Sequence, residues 1–296
     1  MPHDPEPKDP ASYRALLLDL DGTLIGPTGL PHPRTKAALE SLVAGGVTVM
    51  IATGRSEGGT IPILKHLGFG NPALVYNGAG IWCPQRERLV EERTLADRTI
   101  DGVFDFARSR DLPLVAMRAG QKFCREPRSE GEARCLRGLE DLFIVPEAEI
   151  PRERLMRITI YSDTYTDSMD MLKDLDAAVA RPVYYTNFPL NALYEHAGSS
   201  FQVVDVQPPC RGKGEALRYL LETAGIAAHE VVAVGDATND IPMFEAAGLA
   251  VAMRDAMPAA IEFADRVIGG AETDTIAELV EELFPACFES KRASGF

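Results

Sequence analysis

The sequence predicts an α/β protein, a doubly wound parallel-sheet core interrupted by an inserted α+β module. Three observations lead there. From residue 14 to about 77, short β-like runs alternate with helical patterns, the rhythm of right-handed crossovers in a parallel sheet. The same rhythm returns from 212 to 284. Between about 85 and 204 it gives way to strand-like segments of mostly antiparallel character, broken by helical patterns.

Taken in order, the core opens with a strand at 14–19, whose apolar run suits burial in a sheet. A Pro-rich turn leads to a helix at about 33–45, the strand "GVTVMIAT" at 46–53, a helix at about 56–67 and the strand "PALVYN" at 72–77. In the insert, "RERLVEERTL", "PLVAMRAGQKFC", "RLMRITIYSD", "PVYYTNF" and "NALYEHA" read as strands, with helical patterns at about 97–110, 128–141 and 166–180. The core resumes with a helix at 212–226, the strand "VVAVGD" at 231–236, a helix at 239–248, the strand "LAVAM" at 249–253 and a closing helix at 273–284. These boundaries divide the chain into a disordered tail (1–12), a core (13–84 and 205–296) and an inserted module (85–204).

Composition narrows the partners. With 296 residues, 46% hydrophobic, the chain can bury one large core or two modest ones. Its 44 acidic and 30 basic side chains leave a formal charge of -14, so its surface repels phosphate backbones and anionic lipid. The expected partner is a small molecule, with no nucleic acid and no membrane, and the chain acts as a monomer or homodimer. A small phosphorylated substrate remains compatible, because local donors or a divalent cation can reverse the potential inside one cleft.

Five cysteines (Cys83, Cys124, Cys135, Cys210, Cys287) show no C-x-x-C pair and no zinc-ligand spacing, and read as reduced, packed thiols. The segment "MPHDPEPKDPASY" lacks the basic and apolar regions of a secretory signal, and a cytoplasmic location is expected. His3, His32, His66, His196 and His229 form no metal-ligand or triad pattern.

In an open parallel sheet, ligands sit beyond the carboxyl ends of the strands. Three predicted strands end there in polar groups: Asp19 and Asp21 after the first, Thr53, Gly54 and Arg55 after the second, and Asp236, Asn239 and Asp240 after a late one. Each alone reads as a cap or turn residue. Together they bring four carboxylates to one edge, where like charges raise one another's pKa unless a cation joins them. A hard divalent ion answers this, and Mg2+ suits two or three Asp with no His or Cys nearby. Thr53, Asn239 and Lys213 could supply donors to a phosphate bridging that ion. On an extended stretch, side chains at i and i+2 point the same way, so Asp19 and Asp21 would face one group while Leu20 turns inward. Gly22 and Thr23 let the chain turn away, and backbone N–H groups along this stretch can bind phosphate oxygens. Lysine near a helix N-terminus opposes the macrodipole, so Lys213 within "GKG" calls for a nearby anion.

"DLDGTLI", "IATGR", the lysine of "CRGKGEAL" and "VGDATND" together resemble, in order, the four sequence motifs of the haloacid dehalogenase-like (HAD) superfamily of aspartate-nucleophile phosphatases. The insert between the second and third motifs resembles the larger α/β cap of the Cof-type branch, and "VYNGAGI" and "MFEAAGLAVAM" are further local matches. The resemblance implies a Rossmann-like core with an inserted α+β cap domain, and a Mg2+-dependent phosphomonoester hydrolase for small phosphorylated metabolites such as sugar phosphates.

It casts Asp19 as the nucleophile that forms an aspartyl-phosphate and Asp21 as general acid, then base. Asp19, the backbone carbonyl of Asp21 and the Asp236 carboxylate would hold Mg2+, with Asp240 as an outer partner of that site. Leu20, Gly22, Thr53, Gly54, Lys213 and Asn239 would bind phosphate. Arg55 either pairs with a cleft carboxylate or reaches substrate. Arg118, Lys122 and Asn187 in the cap read as solvated loop residues before they read as substrate contacts. A phosphotransferase or phosphomutase shares the covalent step, and a non-catalytic sugar-phosphate-binding regulator is the reading outside catalysis. The intact acidic residues and lysine argue against the regulator.

Overall fold

The computed structural model of the chain describes residues 13–68, 70–193 and 196–289. The proposed tail at 1–12, His3 and the last residues of the 205–296 segment lie outside them. Two sheets organise the rest.

The first half of the core runs β1 (Ala15–Leu18), α1 (Pro33–Ala44), β2 (Thr48–Ala52), α2 (Glu57–Leu67) and β3 (Ala73–Val75), followed by β4 (Gly80–Cys83) and β5 (Arg88–Glu92). The insert carries α3 (Asp97–Ser109), β6 (Leu114–Arg118), β7 (Gln121–Cys124), α4 (Glu130–Cys135), β8 (Leu142–Ile144), β9 (Arg157–Ser162), α5 (Ser168–Val179), β10 (Tyr184–Pro189) and β11 (Gln202–Gln207). The core then closes with α6 (Glu215–Ala224), β12 (Val231–Gly235), α7 (Ile241–Phe244), β13 (Leu249–Met253), α8 (Pro258–Ile261), β14 (Arg266–Ile268) and α9 (Thr275–Leu283). Among the described residues, no helix is long and apolar enough to cross a membrane.

The core sheet has the order β14-β13-β12-β1-β2-β3-β4-β5, parallel from β14 to β3 and antiparallel through β4 and β5. The chain builds outward from β1 through β2 and β3, then returns on the other side of β1 with β12. The topological switch point, where ligands of such sheets bind, therefore lies between the ends of β1 and β12. β1 is buried on both faces because successive residues serve two layers: Leu16 and Leu18 pack with α1 and α9, Ala15 and Leu17 with α6 and α7.

The second sheet has the order β10-β11-β9-β6-β7-β8, antiparallel except for β7 with β8. One face carries α3 and α5 over Ile158, Ile160, Val204 and Val206. The other face, with Val115, Met117, Tyr161 and Val203, packs on Val75, Tyr76 and Ala79 of the core, so this sheet roofs part of the core's strand ends.

Several expectations change. "NALYEHA" is not a strand: Leu190–Ala192 is a single 3-10 turn, and Tyr194 and Glu195 lie outside the described residues. The strand beside β10 is β11 instead, overlooked because "QVVDVQ" carries three polar residues. They are nonetheless buried, Asp205 and Gln207 on the core-facing side. β5 belongs to the core sheet and β11 to the second, so the two sheets meet at Glu92 and Gln207, not at residues 84 and 204. The helix expected at 128–141 is only α4, the chain leaving it through Gly138 at φ +78°. α7 is far shorter than 239–248, and β4, β14 and α8 were not anticipated.

Leu17 is fully buried in the central strand. Leu17→Ala is expected to cost about 2–5 kcal/mol, seen as a lower urea midpoint with unchanged slope. The same change at Leu221, which is 54% exposed, should stay within about 0.5 kcal/mol.

Candidate active site

The centre of the site is an ammonium buried between carboxylates. Lys213 is 1% exposed, and its Nζ lies 2.5 Å from Asp19 Oδ1 and 2.6 Å from Asp240 Oδ1. Burial works against that charge, but the Asp19 and Asp240 carboxylates outweigh it and hold the lysine pKa above its ordinary value. Lys213 reaches this place because Gly212, at φ +56°, turns the chain into a single 3-10 turn ahead of α6.

Asp19 follows the last residue of β1, its N–H bonded to Val234 O at 3.0 Å as if the strand continued one step. Its pKa is raised, first by burial; Lys213 opposes the rise, while Asp240, Asp236 and Asp21 add repulsion. Asp236 follows β12, and burial with repulsion from Asp240 pushes its pKa up to about 6. Its Oδ1 accepts the Thr23 hydroxyl at 2.9 Å. Gly22, at φ +81°, leaves room for this carboxylate: a Cβ there would lie 2.4 Å from Asp236 Oδ2.

Asp240 is already engaged at both oxygens. Its Oδ1 faces Lys213, and its Oδ2 accepts the N–H groups of Asp236 and Ala237, each at 2.9 Å.

Asp19, Asp236 and Asp240 bring carboxylate oxygens within 4.8 Å of one another. Three carboxylates against one ammonium leave excess negative charge. All the donors are hard oxygens, so the residues fit Mg2+. With Asp240 committed elsewhere, Asp19 and Asp236 are the side chains left to hold such an ion.

The remaining sequence-derived candidates are placed as follows. Asp21 sits exposed on the turn beyond β1, not within the strand, and its oxygens accept Arg55 Nη2 and Nε at 2.5 and 2.7 Å. Leu20 between them is fully buried. The Gly22 N–H is engaged by Ile25 O at 3.0 Å. Thr53 is buried at the end of β2, its Oγ1 accepting the Arg55 N–H at 3.1 Å, with Gly54 next to it. Asn239 donates to Asn77 Oδ1 at 3.1 Å, and its own Oδ1 is buried without a protein partner.

The three candidates in the insert are strand residues with defined contacts, not solvated loop residues: the β6–β7 hairpin turns in only two residues, which places Arg118 and Lys122 on strands, and Asn187 lies within β10. Lys122 is 3% exposed and donates to Glu140 O at 2.6 Å. Arg118 bonds Gln121 at 2.8 Å and Asn187 bonds Ser168 at 2.9 Å.

Four residues at the site escaped the sequence. Thr23 was expected only to turn the chain and offer backbone N–H groups, not to bond Asp236 through its hydroxyl, and Asn77 lay in a quoted motif without an assigned contact; Asn77 is left-handed (φ +50°) just before Gly78 (φ +102°), as an Asn-Gly turn signal allows. Tyr184 and Arg157, from the second sheet, had no local signal. A Cβ on Gly212 would lie 2.3 Å from the Tyr184 hydroxyl, and Arg157 reaches Gly54 O at 2.6 Å.

A doubly wound sheet with an acidic, lysine-bridged cluster at its switch point defines an α/β enzyme core. A family model of haloacid dehalogenase-like hydrolases matches residues 16–280, and the chain belongs to that family. Among curated relatives, the putative phosphatase YxeH of Bacillus subtilis is 24% identical over 277 residues, covering 92% of this chain and 98% of that one. The pyridoxal phosphate phosphatase YbhA of Escherichia coli is 27% identical over 288 residues, covering 90% and 97%. The solved structure of BT1666 from Bacteroides thetaiotaomicron, a phosphatase of the same superfamily, aligns with a TM-score of 0.76 at 20% identity over 95% of this chain and 98% of that one. The sugar phosphatase BT4131, of HAD subclass IIB, aligns with a TM-score of 0.76 at 20% identity over 91% and 98%. At that identity the structural likeness speaks for the fold.

The raised carboxylates set a pH-dependent signature. Because Asp236 and Asp19 have folded pKa values above the ordinary 3.8, their protonated forms favour folding below about pH 4. That contribution is lost as pH rises through about 6, the folded value for Asp236. A divalent ion competes with those protons, so Mg2+ should raise Tm at pH 7.5, by the equivalent of about 2.7 kcal/mol at a hundredfold excess over Kd, and leave it unchanged at pH 4.5. Scanning calorimetry with Mg2+ or EDTA checks this, and a shift of equal size at both pH values would contradict it.

Proposed function

We propose that this hydrolase is a Mg2+-dependent phosphomonoesterase acting on small phosphorylated metabolites, sugar phosphates among them, through an aspartyl-phosphate on Asp19. The observation that carries the reading is the Asp19–Lys213–Asp240 contact beside Asp236, four side chains from three distant segments gathered at the sheet's switch point. The names of the relatives YbhA and BT4131, one a pyridoxal phosphate and one a sugar phosphatase, support a small phosphorylated substrate. The charge of -14 supports the absence of a nucleic-acid partner.

In this reading Asp19 attacks phosphorus in line and the leaving oxygen departs on the far side, so one hard displacement becomes two easier ones. Asp19, Asp236 and the Asp21 carbonyl would hold Mg2+, which would supply neutralising charge to the approach of carboxylate and phosphoryl group. Lys213 aims Asp19 and favours its ionised form against the effect of burial, and is itself held by Asp240. Thr53, with the backbone around Leu20 and Gly54, donates to phosphate oxygens, and Asn239 adds a donor from the opposite side.

Asp21 protonates the leaving oxygen and then takes a proton from the attacking water. Its bidentate pair with Arg55 keeps it an acceptor, so the acid role requires the pair to open, and a bound phosphate dianion offers the guanidinium an alternative partner. Cap residues lie over the strand ends, where they exclude water from the cleft.

The test is phosphate release from a panel of phosphorylated metabolites with and without Mg2+. Asp19→Asn should lose at least about a thousandfold in kcat, since it removes the bond-forming group. Asp21→Asn should lose rate while still accumulating label on the protein from an activated substrate. Wild-type rates in Asp19→Asn would dispose of the assigned nucleophile.

A further inference from the structure

Arg157 lies on β9 of the second sheet, yet its guanidinium ends at the phosphate-binding loop of the core. Its Nη1 donates to Gly54 O at 2.6 Å, the residue is 9% exposed, and its Nε and Nη2 lie 3.3 Å from the Met117 sulfur. The Tyr76 ring lies 5.3 Å below it. Its charge faces Asp205 on β11, whose Oδ2 is 3.6 Å from Nη1. Asp205 is fixed in turn by the hydroxyls of Thr159 and Thr186, the latter at 3.3 Å. A long, costly cationic side chain is thus buried, and its shortest polar contact is a single backbone carbonyl across the joint.

That carbonyl belongs to a rigid plane. The peptide joining Gly54 to Arg55 is planar, so fixing its C=O fixes its N–H. This N–H donates to Thr53 Oγ1 at 3.1 Å. With a lone pair of that oxygen taken from behind, the hydroxyl is left to donate its proton forward. On the far side, Asn77 N–H to Thr53 O at 3.1 Å and Tyr76 N–H to Arg55 O at 2.8 Å hold the loop against β3. The contact made by Arg157 comes from the second sheet, and so depends on the cap being seated.

We propose that Arg157 is a positioning residue: seated with the cap, it locks the Gly54–Arg55 peptide so that the Thr53 hydroxyl faces the phosphate, tightening phosphate binding whatever the leaving group. The proposal rests on the phosphate-binding role given above to Thr53. Asp205 acts one step further out, by orienting the guanidinium.

The test is calorimetric binding of inorganic phosphate in the presence of Mg2+, alongside kcat and KM for three esters with unlike leaving groups. In Arg157→Met, which keeps side-chain bulk beside Met117, the phosphate Kd should rise about tenfold, the scale of one charge-assisted hydrogen bond. KM should rise by a common factor for all three esters with kcat little changed. Arg157→Lys should recover part of the loss.

A purely structural role instead lowers Tm and active fraction with Kd and KM unchanged, and that result overturns the proposal, as does a KM rise confined to one ester. Should Arg157→Met fail to fold, Asp205→Asn carries the same test: a Kd raised severalfold supports the proposal and an unchanged Kd overturns it. Phosphate binding does not depend on turnover. A wild type that binds phosphate but hydrolyses nothing therefore sinks the hydrolase reading alone, and an active wild type with unchanged phosphate affinity in the variant sinks the positioning role alone.

Discussion

The ammonium of Lys213, shut away from water between Asp19 and Asp240, is the contact on which the catalytic edge depends. A buried charge is tolerable only when its partners are fixed, and each partner here is fixed by backbone. Asp19 is held by the β1–β12 ladder through its own N–H. Asp240 is held by two N–H groups at the end of β12, its turn fitting closely under Gly235, where a Cβ would fall 2.4 Å from the Asp240 carboxyl carbon. Three segments, with Asp19 and Lys213 alone 194 residues apart, are thereby tied to one point.

The same contact explains why the site is left short of positive charge. One lysine answers two of the carboxylates, and Asp236, held beside them by Thr23, is the remainder. Burial, with repulsion from Asp240 added, pushes the Asp236 pKa up to about 6, and the unanswered charge suits a divalent ion. At the rim the balance differs: Asp21 has its own cation in Arg55, in a forked pair that water can reach. Two carboxylates two residues apart thus meet opposite surroundings, and opposite chemistry can follow from that difference.

The second sheet is joined to this centre by more than apolar packing. The loops at Gly78 and Gly212 touch at backbone level, since a Cβ on Gly78 would fall 2.4 Å from Gly212 O, and Tyr184 of the second sheet fills the space in front of Gly212. Asn77 links Asn239 of the core to Thr186 of the second sheet at 3.1 and 3.5 Å. Together with Arg157, these contacts bring the second sheet into register with both loops flanking Asp19 and Lys213.

The sequence by itself determined the alternation of strand and helix, the parallel core and the inserted character of the middle segment, because period and turn chemistry are local properties. It also singled out Asp19, Thr53 and Asp236, whose polar types stand out at the ends of apolar runs, and Lys213 as the lysine of "GKG" opening a helix. Tertiary structure alone decided the rest. Whether "QVVDVQ" is a strand depended on a partner for Asp205 that lies 48 residues upstream, in Arg157. That Asp240 is consumed by N–H groups and lysine, leaving Asp236 facing any metal, depended on the turn after β12. The reason is the same in each case: a local pattern reports which face of an element is apolar, but which charge meets which is fixed only when separate elements are brought to one sheet edge.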